Sequence, residues 1–302
     1  MIDTRIDADL AAKIVRAQFP EIGSDTVRHL GEGCDSVAIE IDGRWVFKFP
    51  KRADVDAELV REMRVLPPLA RTAPLAMPDY RFRGEPSADF PHHFGGYVKI
   101  AGVPAIGVTA DGAPVPSWAT TIAGFLTWLH TAAIDEAIAQ GVEHQTTASL
   151  VDELKSDALG DLEAVARIAP DAPLAAWRRF IEDSPPPRED RRRSLVHRDF
   201  AAEHVLVDRA TRAITGVIDW SEIAVANPAV DLAGLYHWGG ARFVDAVLAH
   251  YGGPIDDASL ATARYLGACR GAADVAFGAR MSLREYVDAG LRSLAANAVR
   301  TP

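Results

Sequence analysis

"RRSLVHRDFAAEHVLVDRATRAITGVIDWSE", residues 192–222, holds two apolar strand-like runs interrupted by His197, Asp199, His204 and Asp219, and it ends in Glu222. Buried ionic groups cost several kcal/mol unless they are paired or bound to a metal. Residues 204–208 and 214–219 are predicted as a hairpin joined by a polar turn. Its first strand starts at His204 and its second ends at Asp219. In an antiparallel pair the start of one strand lies beside the end of the other, so the two residues meet at one end. Asp199 lies five residues before that same end. Such a cluster suits a divalent cation and an alcohol being activated. Taken singly, His197 and Asp199 read equally well as satisfied core or turn residues, and Asp219 as a strand-end cap. It is their joint pattern that points to chemistry.

A second group of residues lies far upstream. "GEGCDS", residues 31–36, sets Gly31 and Gly33 just before a strand and Ser36 at its start. Glycine lets backbone amides approach phosphate oxygens, although a plain turn has the same composition. The stretch lacks the Gly-Lys-Ser/Thr ending of a P-loop. Val37, Ile39 and Ile41 alternate, Asp42-Gly43 signals a tight hairpin, and Trp45, Phe47 and Phe49 alternate again. Val46 and Lys48 therefore share the opposite face. A lysine in so apolar a strand needs either water or a partner. Val55, Leu59, Met63 and Leu66 form the apolar stripe of a helix predicted over 54–66, and Glu62 falls within it. Glu62 is the candidate partner, with Glu58 as its rival. Glycine loop, strand lysine, helix glutamate, Asp199 and Asp219 are, in this order, the parts of a phosphoryl-transfer site.

The 302 residues are enough for one large domain or two ordinary ones, with 48% apolar and 25% charged residues. No apolar run approaches the roughly 18 residues of a membrane span, and the N-terminus lacks the pattern of a signal peptide. With Cys34 and Cys269 the only cysteines, no disulfide scaffold is expected, and the chain reads as cytoplasmic. A net charge of −10 argues against nonspecific nucleic-acid binding and suits a cationic small substrate. A monomer is expected. Helical periodicity covers 6–19 and, after a strand that runs into a Gly/Pro break over 95–104, dominates 117–139, 148–168, 172–183, 240–251 and 258–295. Residues 183–193 read as a charged, proline-rich loop. The fold class is α+β: a sheet-rich N-terminal lobe over 1–100 and a mostly helical C-terminal lobe over 101–302, with a ligand cleft between them.

"GEGCDSVAIEIDGRWVFKFP", "GGYVKIAGVP" and "LVHRDFAAEHVLVD…GVIDW" resemble the aminoglycoside phosphotransferase family, closest to its 2″-phosphotransferase branch. "IDWSEIAVANPAVDLAGL" and the helical tail are more similar to macrolide 2′-phosphotransferases. The resemblance implies a two-lobed, protein-kinase-like fold, with a small antiparallel sheet in the N-lobe. It implies ATP or GTP as donor and Mg2+ as cofactor. It makes Asp199 the base that orients and deprotonates the acceptor hydroxyl, and Lys48, held by Glu62, the contact to the nucleotide phosphates. Gly31, Gly33 and Ser36 would lie over the phosphates, and Tyr97, Lys99 and Ile100 would belong to the hinge that reads the purine. Asp219 would bind metal with His204, which stands where most kinases have Asn and is a poorer match for magnesium. Asp231 would brace the catalytic loop, a structural role shared with His197.

The acceptor is less defined. Residues 235–251 carry a single acid, Asp245, where aminoglycoside kinases of this branch are rich in carboxylates. Tyr236 and Trp238 offer an apolar surface for a greasier substrate, while Glu203 and Glu222 either bind an amine or are solvated loop residues. The leading expectation is phosphorylation of an aminoglycoside hydroxyl, with antibiotic resistance as its consequence. The alternatives are a macrolide 2′-phosphotransferase and a housekeeping kinase of an amino alcohol or sugar. A pseudokinase would lack Lys48, Asp199 or Asp219. A metal hydrolase would leave the glycine loop, Lys48 and Glu62 without a role.

Overall fold

A computed structural model describes residues 3–23, 25–109, 112–183 and 193–298; most of the predicted loop over 183–193 lies outside them. The chain opens with helix α1 (Ala8–Gln18), capped by Asp7, whose side chain accepts a hydrogen bond from the Leu10 amide. Strands β1 (Val27–Glu32), β2 (Ser36–Ile41) and β3 (Trp45–Pro50) follow as a meander. The turn between β2 and β3 has Asp42 at φ 53° and Gly43 at φ 65°, two left-handed residues in succession as a tight hairpin requires. After helix α2 (Ala53–Ala70), strands β4 (Phe82–Gly84) and β5 (Phe94–Val98) complete an antiparallel sheet in the order β1-β2-β3-β5-β4.

Period-two alternation gives this sheet two different faces. Val37, Ile39, Ile41, Phe47, Phe49 and Phe94 pack with Ile14 and Val15 of α1. Val46 and Tyr97 on the other face pack with Leu59, Met63 and Leu66 of α2, in a core continuous with the helical region. Helix α2 runs past the predicted end at residue 66, through Pro67 and Pro68. Pro67 cannot donate to the Met63 carbonyl one turn earlier; Arg83 donates to that carbonyl instead, at 2.8 Å.

Residues 95–104, read as a strand running into a Gly/Pro break, form just that. Strand β5 ends at Val98, Gly102 sits at φ 121°, and β6 (Val103–Pro104) joins a separate sheet with β8 and β9. The predicted helix 117–139 is also divided, into α3 (Trp118–His130) and α4 (Ile134–Ala139). Helices α5 (Thr147–Ile168) and α6 (Leu174–Glu182) lie close to expectation. Strands β7 (Ser194–Val196), β8 (Val205–Val207), β9 (Ile214–Val217) and β10 (Ala224–Ala226) form two small sheets around the opening stretch. Helix α7 (Ala229–Leu248) begins well before the predicted 240–251 and is interrupted at Gly240. Its first half is buried from Ala229 through Trp238, so no polar face marks a helical period. The predicted helix 258–295 splits at Ser282, in the left-handed region at φ 59°, into α8 (Asp257–Met281) and α9 (Arg284–Asn297).

Helices α5, α7, α8 and α9 pack around the small sheets, and α7 presses on the loop that precedes β8. A Cβ at Gly234 would lie 1.6 Å from the Phe200 carbonyl oxygen, so only glycine permits this approach. The architecture is mixed, an antiparallel N-terminal sheet followed by a helical region.

Candidate active site

The hairpin of the opening stretch forms with Val205 opposite Val217, and the Ile218 amide donates to the His204 carbonyl at 2.9 Å. His204 and Asp219 therefore meet at one end, with Nδ1 and Oδ2 3.9 Å apart. His204 Nε2 lies 3.0 Å from Asp199 Oδ2, so the imidazole bridges the two carboxylates. Asp199 and Asp219 hold different partners beyond it. Arg198 and Asp219 both adopt positive φ, 71° and 62°. Non-glycine residues in that region store strain, which persists only where the surroundings enforce it.

Asp231 enforces it at the first of these turns. Its carboxylate accepts the His197 amide at 2.9 Å and the Arg198 amide at 2.7 Å, and His130 Nε2 lies 2.9 Å away. Asp231, His197 and His130 are buried, and Arg198 is partly so. His197 Nε2 faces the Ile218 carbonyl at 3.0 Å while its Nδ1 accepts the Asp199 amide at 3.3 Å, a pattern that a neutral imidazole satisfies. Burial lowers the His197 pKa, in keeping with that state.

Lys48 crosses to this hairpin from β3. Its ammonium lies 3.0 Å from Glu62 Oε2 on α2 and 3.0 Å from Asp219 Oδ1, joining the two regions of the chain. Glu62 is 1% exposed, and its other oxygen accepts the Tyr80 hydroxyl at 2.9 Å. Burial opposes the Lys48 charge, but Asp219 and Glu62 outweigh it and raise the pKa. The same ammonium holds Asp219 down to about 2. Glu58 is not the partner; it lines a separate polar cavity with Arg61, Arg198 and Glu222.

Gly31, Gly33, Ser36, Lys48, Tyr97, His204 and Asp219 line one cleft of about 290 Å3, together with Glu203 and Tyr286. Neither glycine has a positive φ, and a Cβ at either would meet nothing within 4 Å. Their lack of a side chain leaves the cleft roof clear and is not needed for the turn. The Ser36 hydroxyl is buried without a hydrogen-bond partner and belongs to the same wall.

Two expectations for the hinge are modified. The Lys99 amide donates to the Arg44 carbonyl at 2.7 Å and its ammonium pairs with Glu40, so both groups turn toward the β2–β3 hairpin and not to the cleft. Ile100 lies against β9, where its Cγ2 would be 2.6 Å from a Cβ at Gly216. Tyr236 and Trp238 are corrected as well. Both are buried, and the Trp238 indole stacks near Trp118 and Phe243 and donates to the Gly112 carbonyl at 3.2 Å. They are core residues, because α7 carries their face inward, and neither belongs to the walls of this cleft.

Glu203 is buried, and Glu222 is partly exposed. Glu222 pairs with Arg198, and burial raises its pKa. Glu203 is 8% exposed and accepts a hydrogen bond from Arg270 of α8 at 2.5 Å. Arg270 also donates to Asp199 Oδ1 at 2.5 Å. Both oxygens of Asp199 are thus engaged, by Arg270 and by His204. Burial would raise the Asp199 pKa, but these two cations hold it well below the usual carboxylate range. Burial also opposes the charge on His204, yet Asp199 and Asp219 raise its pKa to about 9.

Sequence reading missed Arg270, Tyr80 and Tyr286. For Arg270 a signal existed: Arg270 and Asp274 are the only charged residues in "GACRGAADVAFG", four apart on one helix face.

Among the described residues, Asp199, Glu203 and His204 also form a group with ligand atoms close enough to share a metal ion. As a magnesium ligand Asp219 fits by chemistry, since its Oδ2 is free of the Lys48 contact and the side chain is 44% exposed. His204 fits only after losing the proton that Asp199 stabilises, because an imidazolium has no lone pair to offer.

The profile of the phosphotransferase enzyme family (APH) matches residues 26–264. Viomycin phosphotransferase of Streptomyces vinaceus is 32% identical over 139 residues, 38% of this chain and 47% of that protein. The uncharacterized protein YcbJ of Bacillus subtilis is 25% identical over 199 residues, 62% of this chain and 60% of that one. The chain therefore spans about half to three fifths of the length of these curated relatives. Among solved structures, the GDP complex of wild-type aminoglycoside 2′-phosphotransferase-IIIa is similar with a TM-score of 0.72 at 25% identity, over 97% of this chain and 99% of that one. The GDP and kanamycin complex of APH(2″)-IIIa has a TM-score of 0.70 at 25% identity, over 94% and 97%. Macrolide 2′-phosphotransferase MphH from Brachybacterium faecium shares the fold, with a TM-score of 0.64 at 22% identity, over 95% and 97%. Among the described residues, no helix is long and apolar enough to cross a membrane. With more than half of its length matched, and with Lys48, Glu62 and Asp219 gathered at one cleft, the chain belongs to the phosphotransferase enzyme (APH) family.

Proposed function

We propose that this protein transfers the γ-phosphoryl group of ATP or GTP to a hydroxyl of an amine-bearing small molecule of the aminoglycoside type. The observation that carries the reading is Lys48, held 3.0 Å from both Glu62 and Asp219 beneath a cleft roofed by Gly31 and Gly33. Phosphoryl transfer asks the protein mainly to position the reactants and to stabilise charge. Lys48 contacts the α/β-phosphates, and Glu62 and Tyr80 keep it from collapsing wholly onto Asp219. The amides around Gly31 and Gly33 and the Ser36 hydroxyl face the phosphates.

Asp219, with His204 beside it, would hold Mg2+, which would supply positive charge against the phosphates. Asp199 accepts the proton of the acceptor hydroxyl as its oxygen bonds to the γ-phosphorus. The bond between that phosphorus and the β–γ bridging oxygen breaks, and the nucleoside diphosphate leaves with the electron pair. Glu203, at the acceptor end of the cleft, is the residue that meets an amine. The similarity to a structure solved with GDP and kanamycin supports both the donor class and the acceptor class.

The test is a panel: the protein with Mg2+, ATP or GTP, and aminoglycosides, macrolides or small amino alcohols. Diphosphate release that depends on an aminoglycoside is expected, and release with macrolides alone overturns the acceptor assignment. Asp199→Asn should keep nucleotide affinity and lower turnover by about 10²-fold or more, the scale of general-base catalysis. Unchanged turnover removes Asp199 from the mechanism.

A further inference from the structure

The acceptor end of the cleft is internally neutralised. Glu203 lines the cleft, and behind it Arg270 is wedged between two carboxylates, 2.5 Å from Asp199 Oδ1 and 2.5 Å from Glu203 Oε1. Asp199 Oδ2 faces His204 at 3.0 Å, so each oxygen of the base already carries one cationic partner and keeps only its second lone pair for a hydroxyl. An acceptor hydroxyl must therefore share an oxygen of Asp199 with His204 or Arg270, or take the place of one of them.

Arg270 is the group with somewhere else to go. Asp274 stands one helical turn further along α8, on the same face, and its negative charge already helps to hold the guanidinium. Asp274 is 8% exposed, and its Oδ2 is buried with no hydrogen bond; His237 Nε2 is 3.0 Å from that oxygen but not in hydrogen-bonding geometry. Glu203 Oε2 and Arg270 Nε are likewise buried without partners. A buried polar atom left unpaired costs about 1–3 kcal/mol, so Glu203 Oε2 and Arg270 Nε describe an arrangement that is not at its best. Moving the guanidinium onto Asp274 would satisfy that carboxylate and release Asp199 Oδ1 and Glu203 together.

We infer that Arg270 is a displaceable counter-ion: it occupies the place of the acceptor's ammonium group, and an acceptor with an amine beside its reacting hydroxyl exchanges with it, sending Arg270 to Asp274. The ammonium then pairs with Glu203 and the hydroxyl reaches Asp199. One positive charge replaces another, so the buried carboxylates are never left unpaired, the condition that makes a broken buried pair costly. A neutral sugar cannot make the exchange, and this sets specificity. The inference rests on the proposed acceptor class but not on phosphoryl transfer itself. Arg270 is a positioning and specificity residue acting through Asp199 and Glu203.

The experiment is calorimetric titration of kanamycin into the full chain with Mg2+ and a non-hydrolysable nucleotide. Arg270→Met should bind kanamycin about 10-fold or more tightly than the unchanged protein, with no gain for a neutral disaccharide. Asp274→Asn should bind it more weakly. Kanamycin bound no better by Arg270→Met, including no binding by either protein, overturns the inference.

If Arg270→Met does not fold, the unchanged protein carries the test. Its Arg270 Nε–H resonance, assigned by its loss in Arg270→Lys, should shift when kanamycin is added, and a resonance that stays in place overturns the exchange. Binding and displacement without any phosphoryl transfer would refute the kinase reading and leave the exchange standing.

Discussion

At the scale of single residues, charge is bound in a chain: Glu62, Lys48, Asp219, His204, Asp199, Arg270, Glu203. Removing the first cation exposes what it compensates. Lys48 is mostly buried and Glu62 almost wholly so, and breaking a buried pair typically costs about 3 kcal/mol. Lys48→Ala should therefore lose both phosphoryl transfer and about that much stability in urea unfolding, and a variant of native stability would contradict the buried bridge. The His204 pair has a pH signature. Its pKa rises from 6.5 to about 9, because Asp199 and Asp219 outweigh the opposing effect of burial. A raised folded-state pKa means stability that is fully present below about 6.5 and lost as pH rises through about 9. In chelator-treated protein, His204→Gln should cost more stability at pH 6 than at pH 10. Equal costs, read from urea midpoints, would show that the imidazole is not charged.

At the scale of elements, the register of β8 on β9 and the approach of α7 decide where the catalytic loop stands. Gly234 is the point of closest contact, and Phe200, next to Asp199, is its neighbour. A methyl group there would force α7 away from the loop. Overpacking costs typically 1–3 kcal/mol, and a backbone neighbour cannot relax as a side chain does. Gly234→Ala should therefore lower stability by about 3 kcal/mol or more, with a drop in turnover beyond what the unfolded fraction explains. A variant with native melting would mean that the contact is looser than it stands.

The legibility of elements followed the same physics. Strands β2 and β3 were readable because each has two distinguishable faces, and the α2 stripe was readable for the same reason. The first half of α7 was not, because burial on all sides erases the period, and the break at Ser282 was hidden because no glycine or proline marks it.

At the scale of the whole molecule, the N-terminal sheet and the helical region share one continuous core, yet Lys48 on the sheet and Asp219 on the hairpin are the groups that close the cleft. Cys34 is exposed and lies in that cleft wall among Gly33, Asp35 and Ser36. Bound nucleotide should shield it, so alkylation of Cys34 should slow several-fold when nucleotide and Mg2+ are present. Equal rates would place the nucleotide elsewhere. Cys269, buried beside Arg270, has its pKa pushed up to about 12 by burial and should remain unreactive throughout.

By itself, the sequence determined which residues form the phosphate end and the hairpin end of the site, because side-chain period and antiparallel pairing are local rules that need only neighbours in the chain. It placed Lys48 opposite its own strand's aromatic face, Glu62 on an inward stripe, and His204 next to Asp219. Only the tertiary structure decided who holds Asp199. Arg270 is 71 residues away in the chain, and whether a cation on α8 faces solvent or a catalytic carboxylate depends on how the helices cross. Tyr236 and Trp238 show the same dependence in reverse, since an apolar surface on a string becomes core or binding wall only when a neighbouring helix covers it or leaves it open.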